Sequence, residues 1–244
     1  MLMLSRAAFN PLELVSAQLW AFLPWLIILG VLSLLGTWLK RRFLPKLKGN
    51  LGEWAVNRAL LKNLNPQEYH VLNDLLIPDG ASGQTQVDHV VVSVHGIFVL
   101  ETKNWDCWIF GREDDREWTL SYPGGGKKKV QNPLRQNEGH VQAIMKLLAV
   151  GRERCHNLVF INPVSKFKTG PVPGAFQSRM LDHIRSYHDI VFDPGWVGEA
   201  VRKLREASMS HDKQAVAAHL NQVKSKRQPL SQMAKTSPAL KRSN

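Results

Sequence analysis

Gln84-Thr-Gln-Val-Asp-His-Val-Val-Val-Ser-Val-His-Gly-Ile-Phe-Val-Leu-Glu-Thr-Lys-Asn104 is the stretch that decides the fold. Two runs rich in Val, Ile, Phe and Leu flank His95-Gly96, and Gly most easily takes the positive φ of a tight turn, so the stretch reads as a β-hairpin. With His95-Gly96 as a two-residue loop, Val94 pairs with Ile97. Val90 then lies opposite Glu101, and Asp88 opposite Lys103. Side chains alternate faces along a strand. Asp88, Val90 and Val92 therefore share a face with Val99, Glu101 and Lys103. His89, Val91 and Ser93 share the other with Phe98, Leu100 and Thr102. Both faces are apolar near the turn, as in central strands covered on both sides.

Three ionisable groups thus meet at the open end of an apolar hairpin. In this register Asp88 and Glu101 are diagonal neighbours, roughly 7–8 Å apart at Cα. Two carboxylates at that reach can share one divalent cation, with Lys103 on the same face. Burying such charges unpaired is costly, so they need each other or a metal. Geometry leaves two readings open: a metal site, or a structural ion pair of Lys103 with Asp88 and an exposed Glu101.

The pattern Asp88, then Glu101-Thr102-Lys103, resembles the Asp…Glu-x-Lys core of the PD-(D/E)XK nuclease superfamily. The wording around it extends the likeness. Val71-Leu72-Asn73-Asp74, Thr85 to Ser93, Gly96-Ile97-Phe98-Val99, Glu101-Thr102-Lys103-Asn104, Trp108-Ile109-Phe110-Gly111 and Asn132-Pro133-Leu134-Arg135-Gln136-Asn137 stand in the order of the NERD (nuclease-related domain) family. The likeness covers roughly Leu51 to Ala149. One position departs from it: the residue before Asp88 is Val87, where the superfamily has Pro. The resemblance implies a restriction-endonuclease-like α/β fold, a mixed central sheet flanked by helices. It implies Mg²⁺ or Mn²⁺ held by Asp88 and Glu101, with Lys103 acting on the attacking water or the phosphate. Glu53, in the family's Gly-Glu motif, and Gln136 would complete the wall.

The chain has 244 residues and a formal net charge of +12. The excess sits at the ends. Residues 1–50 hold six basic against one acidic side chain, residues 51–201 sixteen against seventeen, and residues 202–244 ten against two. The domain itself is near neutral, so its overall charge is poor evidence for nucleic-acid binding. Leu14 to Leu39 contains no charged residue. Residues 19–39, about 21 in all, suffice to cross a ~30 Å hydrocarbon layer as a helix. Trp20, Trp25 and Trp38 suit the interfaces. The run is too long for a cleaved leader and has no small-x-small site after it. Lys40, Arg41, Arg42, Lys46 and Lys48 follow it, against Arg6 alone before it. The expectation is a single-pass membrane protein with its C-terminal domain in the cytoplasm. The two cysteines, Cys107 and Cys155, fit a reducing compartment.

The chain divides into a short N-terminal segment (1–18), the transmembrane helix (19–39), a basic linker (40–49), the nuclease-like domain (50–210) and a basic, disordered tail (211–244). Asn50 opens a helix to about Leu64, in which Glu53 is either a capping residue or the family's site acid. Tyr69 to Ile77 is the first strand, ending in the turn Pro78-Asp79-Gly80. Gly124-Gly125-Gly126-Lys127-Lys128-Lys129 is a mobile basic loop, either solvated or gripping phosphates. Asn132 caps a helix begun by Pro133. Gln136 and His140 lie four apart on one flank of it. Nucleic-acid contacts are assigned to Lys127, Lys128, Lys129, Arg135 and His140. Residues 156–162 form a later strand, and Trp196 to Met209 a closing helix. Phe176–Leu181 and Asp189–Phe192 are edge strands or helix entries. The nine histidines show no zinc spacing, and no phosphate-cradling Gly-Lys-Ser/Thr loop exists. The function expected is a membrane-anchored, metal-dependent nuclease acting on DNA or RNA. The alternative is an inactive module of the same fold, a nucleic-acid binder or a membrane scaffold.

Overall fold

The computed structural model describes residues 11–81 and 83–209. Helix α1 (Pro11–Asn63) is followed by strands β1 (Tyr69–Pro78), β2 (Gln84–Ser93) and β3 (Gly96–Lys103). Three short strands come next: β4 (Trp108–Phe110), β5 (Glu117–Tyr122) and β6 (Gly126–Gln131). Helix α2 (Pro133–Leu148), β7 (Cys155–Ile161), β8 (Lys166–Phe167), β9 (Ala175–Phe176) and α3 (Met180–Arg185) complete the middle of the chain. A last helix, α4, covers residues 194–209. The described residues divide into two compact units, one ending at Leu51 and the other beginning at Gly52.

The expected mixed central sheet is present. Its strand order is β1-β2-β3-β7-β9. β1, β2 and β3 form an antiparallel meander, and β7 and β9 add parallel to it. Helices cover both faces. Val90, Val92, Ile97 and Val99 pack against Val141, Ile144 and Leu148 of α2 and Val197, Val201 and Leu204 of α4. Val91, Phe98 and Leu100 pack against Val56 and Leu60 of α1, Leu64 just after it, and Met180 and Ile184 of α3. That two-sided burial explains why β2 and β3 read as nearly continuous apolar runs.

The central hairpin differs from expectation by two residues. Ser93 pairs with Gly96, Val92 with Ile97 and Val90 with Val99. The loop is therefore Val94-His95. Ser93 holds it, its Oγ accepting from His95 N (3.1 Å) and donating to Gly96 O (3.2 Å). Gly96 has φ +146°, and a Cβ there would stand 2.8 Å from His156 Nε2 on β7. An even slip keeps every side chain on its expected face; a slip of one would have inverted them all.

A second sheet, ordered β6-β5-β4-β8, packs its inner side chains Ile109, Trp118 and Leu120 on Leu134, Val159 and Ile161. Here the expected mobile loop is corrected. Lys127, Lys128 and Lys129 are in β6, paired with Ser121, Leu120 and Thr119. Only Pro123-Gly124-Gly125 turns. Gly125 has φ +88° and its N donates to Tyr122 O (3.0 Å), the three-residue hairpin that needs Gly in the left-handed region.

Asn132 caps α2 as expected, its Oδ1 accepting from Leu134 N (2.9 Å) with Pro133 at the first turn. The segment Phe176–Leu181 became β9 and the start of α3, while residues 189–192 form neither strand nor helix and hydrogen-bond to Val94 O instead. The predicted span 19–39 falls within α1, but its side chains are described only from Pro24 onward. Among the described residues no helix is long and apolar enough to cross a membrane. The predicted disordered tail lies outside the described residues.

Candidate active site

The corrected register tightens the centre of the site. One step beyond the pair His89–Leu100, the same register sets Asp88 directly beside Glu101. The two carboxylates are direct rather than diagonal neighbours, and Lys103 is no longer opposite Asp88. Asp88 Oδ2 accepts a hydrogen bond from Thr102 N (2.8 Å). Burial, and then the negative charge of Glu101, push the Asp88 carboxyl up to about 7.

Glu101 is buried and fully engaged. Lys103 Nζ and Gln136 Nε2 both donate to its Oε1, at 2.5 and 2.9 Å. Lys103 Nζ also donates to Gln136 Oε1 (3.0 Å), closing a triangle of β3 and α2 side chains. His140 Nε2 lies 3.4 Å from Glu101 Oε2. That distance is too long for a well-made hydrogen bond, and Nε2 has no hydrogen-bond partner. Burial alone would raise Glu101, but His140 and the Lys103 ammonium hold it below the usual carboxylate range. The structural ion pair left open by the sequence is therefore Lys103 with Glu101, not with Asp88.

Glu53 reaches the same cluster from α1. Burial raises its carboxyl, with further upward push from Asp74 and Glu101 and a downward pull from Lys103. Glu53, Asp88, Glu101 and Lys103 thus lie within electrostatic reach of one another, and Gln136 joins them by hydrogen bonds. Of the assigned nucleic-acid contacts only His140 joins that cluster. His140 is buried, with Nδ1 2.7 Å from Thr85 Oγ1 and Nε2 on Glu101. Arg135 donates to the carbonyls of Asp114 and Asp115 (2.9 and 3.1 Å), clamping a loop. Lys127, Lys128 and Lys129 are exposed on β6 of the second sheet.

Asp74 is a further site acid that the sequence reading passed over. It lies where the β1–β2 ladder skips a pair, has φ +53°, and its charge acts on Glu53 and His89. Gln86 Nε2 donates to its Oδ1 (2.6 Å). Short polar side chains tolerate the left-handed conformation, and a polar Asn-Asp pair inside an alternating strand was the available signal. His89, on the opposite face, is buried with Nδ1 lacking a hydrogen-bond partner, and burial pulls its imidazole down to about 4.

Among the described residues no three His, Cys, Asp or Glu side chains form a ready-made metal cage. The donor set still suits one kind of ion. Mg²⁺ takes one or two carboxylates and keeps most of its water. Asp88 and Glu101 offer that pair, and the Asp88 proton held to about 7 marks a place short of positive charge. Thiolate and multi-imidazole chemistry is absent from the cluster, so softer transition metals are poorly matched.

Residues 48–163 match the family model described as nuclease-related domain, NERD. An uncharacterized protein of Bacillus anthracis is 41% identical over 119 residues, which cover 49% of this chain and 55% of that protein. The chain thus spans about half the length of the curated relative it matches. No solved structure matches it.

Proposed function

Because residues 48–163 form a nuclease-related domain of the PD-(D/E)XK superfamily, we propose that this chain is a membrane-anchored, metal-dependent nuclease that hydrolyses phosphodiester bonds in DNA or RNA. The observation that carries the reading is the side-by-side pair Asp88 and Glu101, with Asp88 still protonated up to about 7 and Lys103 held two residues along. Asp88 and Glu101 would hold Mg²⁺ or Mn²⁺, which supplies a water of lowered pKa and offsets charge on the phosphate. Lys103, fixed between Glu101 and Gln136, presents an ammonium to the attacking water or to the phosphoryl oxygen that gains charge. Glu53, its carboxyl raised by burial and by the neighbouring acids, would accept or return a proton. Gln136 holds Lys103 and Glu101 in register, and His140 steadies the second oxygen of Glu101.

The test uses the full chain in detergent with single-stranded and duplex DNA and RNA, with Mg²⁺, Mn²⁺ or EDTA. Cleavage that needs metal and is lost in a folded Asp88→Asn supports the reading. Metal-independent cleavage that survives this substitution overturns it.

The anchor belongs to the same proposal. Described side chains from Trp25 to Leu39 are exposed without a polar face, Leu34 at 72% and Trp25 at 65%. Lys40, Arg41 and Arg42 follow in sequence, and on the positive-inside rule that flank would face the cytoplasm. A second reading, a nucleic-acid-binding module without catalysis, has one observation in its favour: Lys103 and Gln136 already occupy Oε1 of Glu101, and His140 lies against Oε2. Failure of a folded wild type to bind metal would favour that module.

A further inference from the structure

The outer face of the second sheet is built differently from an ordinary solvated face. Side chains alternate, so Ile109, Trp118 and Leu120 point into the core while Trp108, Phe110, Thr119 and Ser121 point out. The register lines these up in rows across the sheet. One row runs Lys166, Trp108, Ser121, Lys127. In the next, Phe110 stands beside Thr119, and Thr119 beside Lys129. Lys168 extends the outer column: its N donates to Ile109 O (2.8 Å), and its ammonium lies 4.7 Å from the centre of the Trp108 ring. Two aromatic rings therefore stand between two columns of lysines.

Lysines on an edge strand such as β6 serve by themselves only to stop unwanted pairing. The rings have no such duty. Trp108 is 46% and Phe110 39% exposed, while the inward ring of Trp118 is fully buried. On the four strands of this sheet Glu117 is the single acidic residue, and it sits 3.4 Å from Lys129. The face is thus cationic at both sides and aromatic along its middle.

We propose that this face is a stacking platform for single-stranded nucleic acid, so that the substrate class of the nuclease is a single strand; this rests on the nuclease reading for the word substrate and on the sheet alone for the binding. Bases of an unpaired strand expose π-faces that stack on aromatic side chains, while lysines follow the phosphates. A duplex hides those faces and meets only the lysines. The cation–π contact of Lys168 at an exposed site is weaker than base stacking, so a base displaces the ammonium towards a flanking phosphate. Short connections also tie the platform to the strand that carries Glu101 and Lys103. Trp108 follows Lys103 by five residues, and Lys166 follows Ile161, the β3 partner of Lys103, by five. A five-residue reach bounds either Cα–Cα distance at about 18 Å, which is about five stacked nucleotides of a strand.

The experiment measures binding of the full chain, in EDTA to prevent cleavage, to fluorescent single-stranded DNA, the same sequence as RNA, the matching duplex, and vesicles of phosphatidylglycerol. Trp108→Leu and Phe110→Leu keep the apolar area and lose the ring; Trp108→Phe keeps a ring. The expected result is weaker single-strand binding by about tenfold per leucine variant, retained binding in Trp108→Phe, and little change on duplex. Lys127→Ala and Lys129→Ala each lower the salt slope by about 0.7. The DNA and RNA arms decide which sugar the platform accepts. Melting curves must match wild type for each variant. Equal affinity for single strand and duplex, or unchanged single-strand binding in a folded Trp108→Leu, overturns the platform. So does a Trp108-dependent affinity confined to vesicles, which would make the face a membrane contact. These outcomes are independent of Asp88. A strand-binding protein that never cleaves keeps the platform and removes the nuclease, and a nuclease indifferent to Trp108 does the reverse.

Discussion

Asp88 and Glu101 are neighbours with opposite consequences for stability. The folded Asp88 keeps its proton up to about 7, whereas the unfolded carboxyl releases it near 3.8. Between those values the folded state binds more protons, so stability falls as pH rises through the window and stays lowered above it. Asp88→Asn, whose amide oxygen can still accept from Thr102 N, should therefore melt higher than wild type at pH 8 without metal. The gain should be roughly 1–4 kcal/mol and should vanish towards pH 4. Mg²⁺ should then raise the melting temperature of wild type and not of the variant. Glu101 behaves the other way. Its folded carboxyl is held low, so its contribution is present above the usual carboxylate value and is lost as pH falls through the lowered one. Glu101→Gln leaves the Lys103 ammonium without its partner and should destabilise by about 3 kcal/mol at neutral pH. Denaturant melts over a pH series check both signs. If Asp88→Asn is the less stable protein at pH 8, the charge-deficient site described above is wrong.

Two asparagines show how much of the residue scale was legible. Asn132 was expected as a helix cap, and it is one; its Nδ2 also donates to the carbonyls of Glu113 and Asp115 (2.9 and 2.8 Å). Asn137, in the same sequence block, donates to Val99 O, Leu158 O and Asn157 Oδ1 across the parallel seam of β3 and β7 (2.8–3.1 Å). Nothing local announces that role, because its partners are distant in sequence. Asn137→Leu should cost about 2–4 kcal/mol by stranding buried acceptors, read as a lowered denaturation midpoint. His140 has the same lesson. Its spacing from Gln136 put both on one flank, but only the packed fold says that the flank faces Glu101.

At the scale of elements, faces were easier to read than registers. The central strands announced themselves by composition, and alternation fixed which side chains share a side. The pairing of Val92 with Ile97 depends on the Ser93 hydroxyl and on room for His156 beneath Gly96, and the second of these is a contact with β7. Three glycines before three lysines looked like a loop because the strand that pairs with them is short and only half apolar. Gly125 carries the positive φ of that turn in open space, so Gly125→Ala should cost about 1 kcal/mol by backbone strain alone and leave Lys127 to Lys129 in place. A thermal melt and the salt slope of nucleic-acid binding measure the two parts separately. Helix α1 sets a different test. If residues 19–39 span a bilayer, the chain stays with membranes through carbonate and high-salt washes, and protease added to spheroplasts leaves a C-terminal tag intact. Release of the full-length chain by either wash would remove the anchor from the proposal.

The central sheet is closed by a long-range seam between β3 and β7. Ile97 pairs with Cys155 and Lys103 with Ile161, each pair fifty-eight positions apart. The β1–β2–β3 meander, by contrast, is held by near neighbours in sequence. Local pairings form early and cheaply, whereas a distant parallel pairing waits for the intervening chain to close on itself. During synthesis the two acids therefore meet before Gln136 and His140 arrive to surround them. For that interval β3 offers an unprotected edge of Val, Leu and Phe to any other chain nearby. A ribosome adding roughly 5–20 residues per second keeps that edge open for several seconds. Chains ending near residue 150 should accordingly collect in inclusion bodies or on chaperones, while the full chain does not. Passage beyond Ile161 is then the moment at which a nascent chain stops being an aggregation hazard and can close the β3–β7 seam.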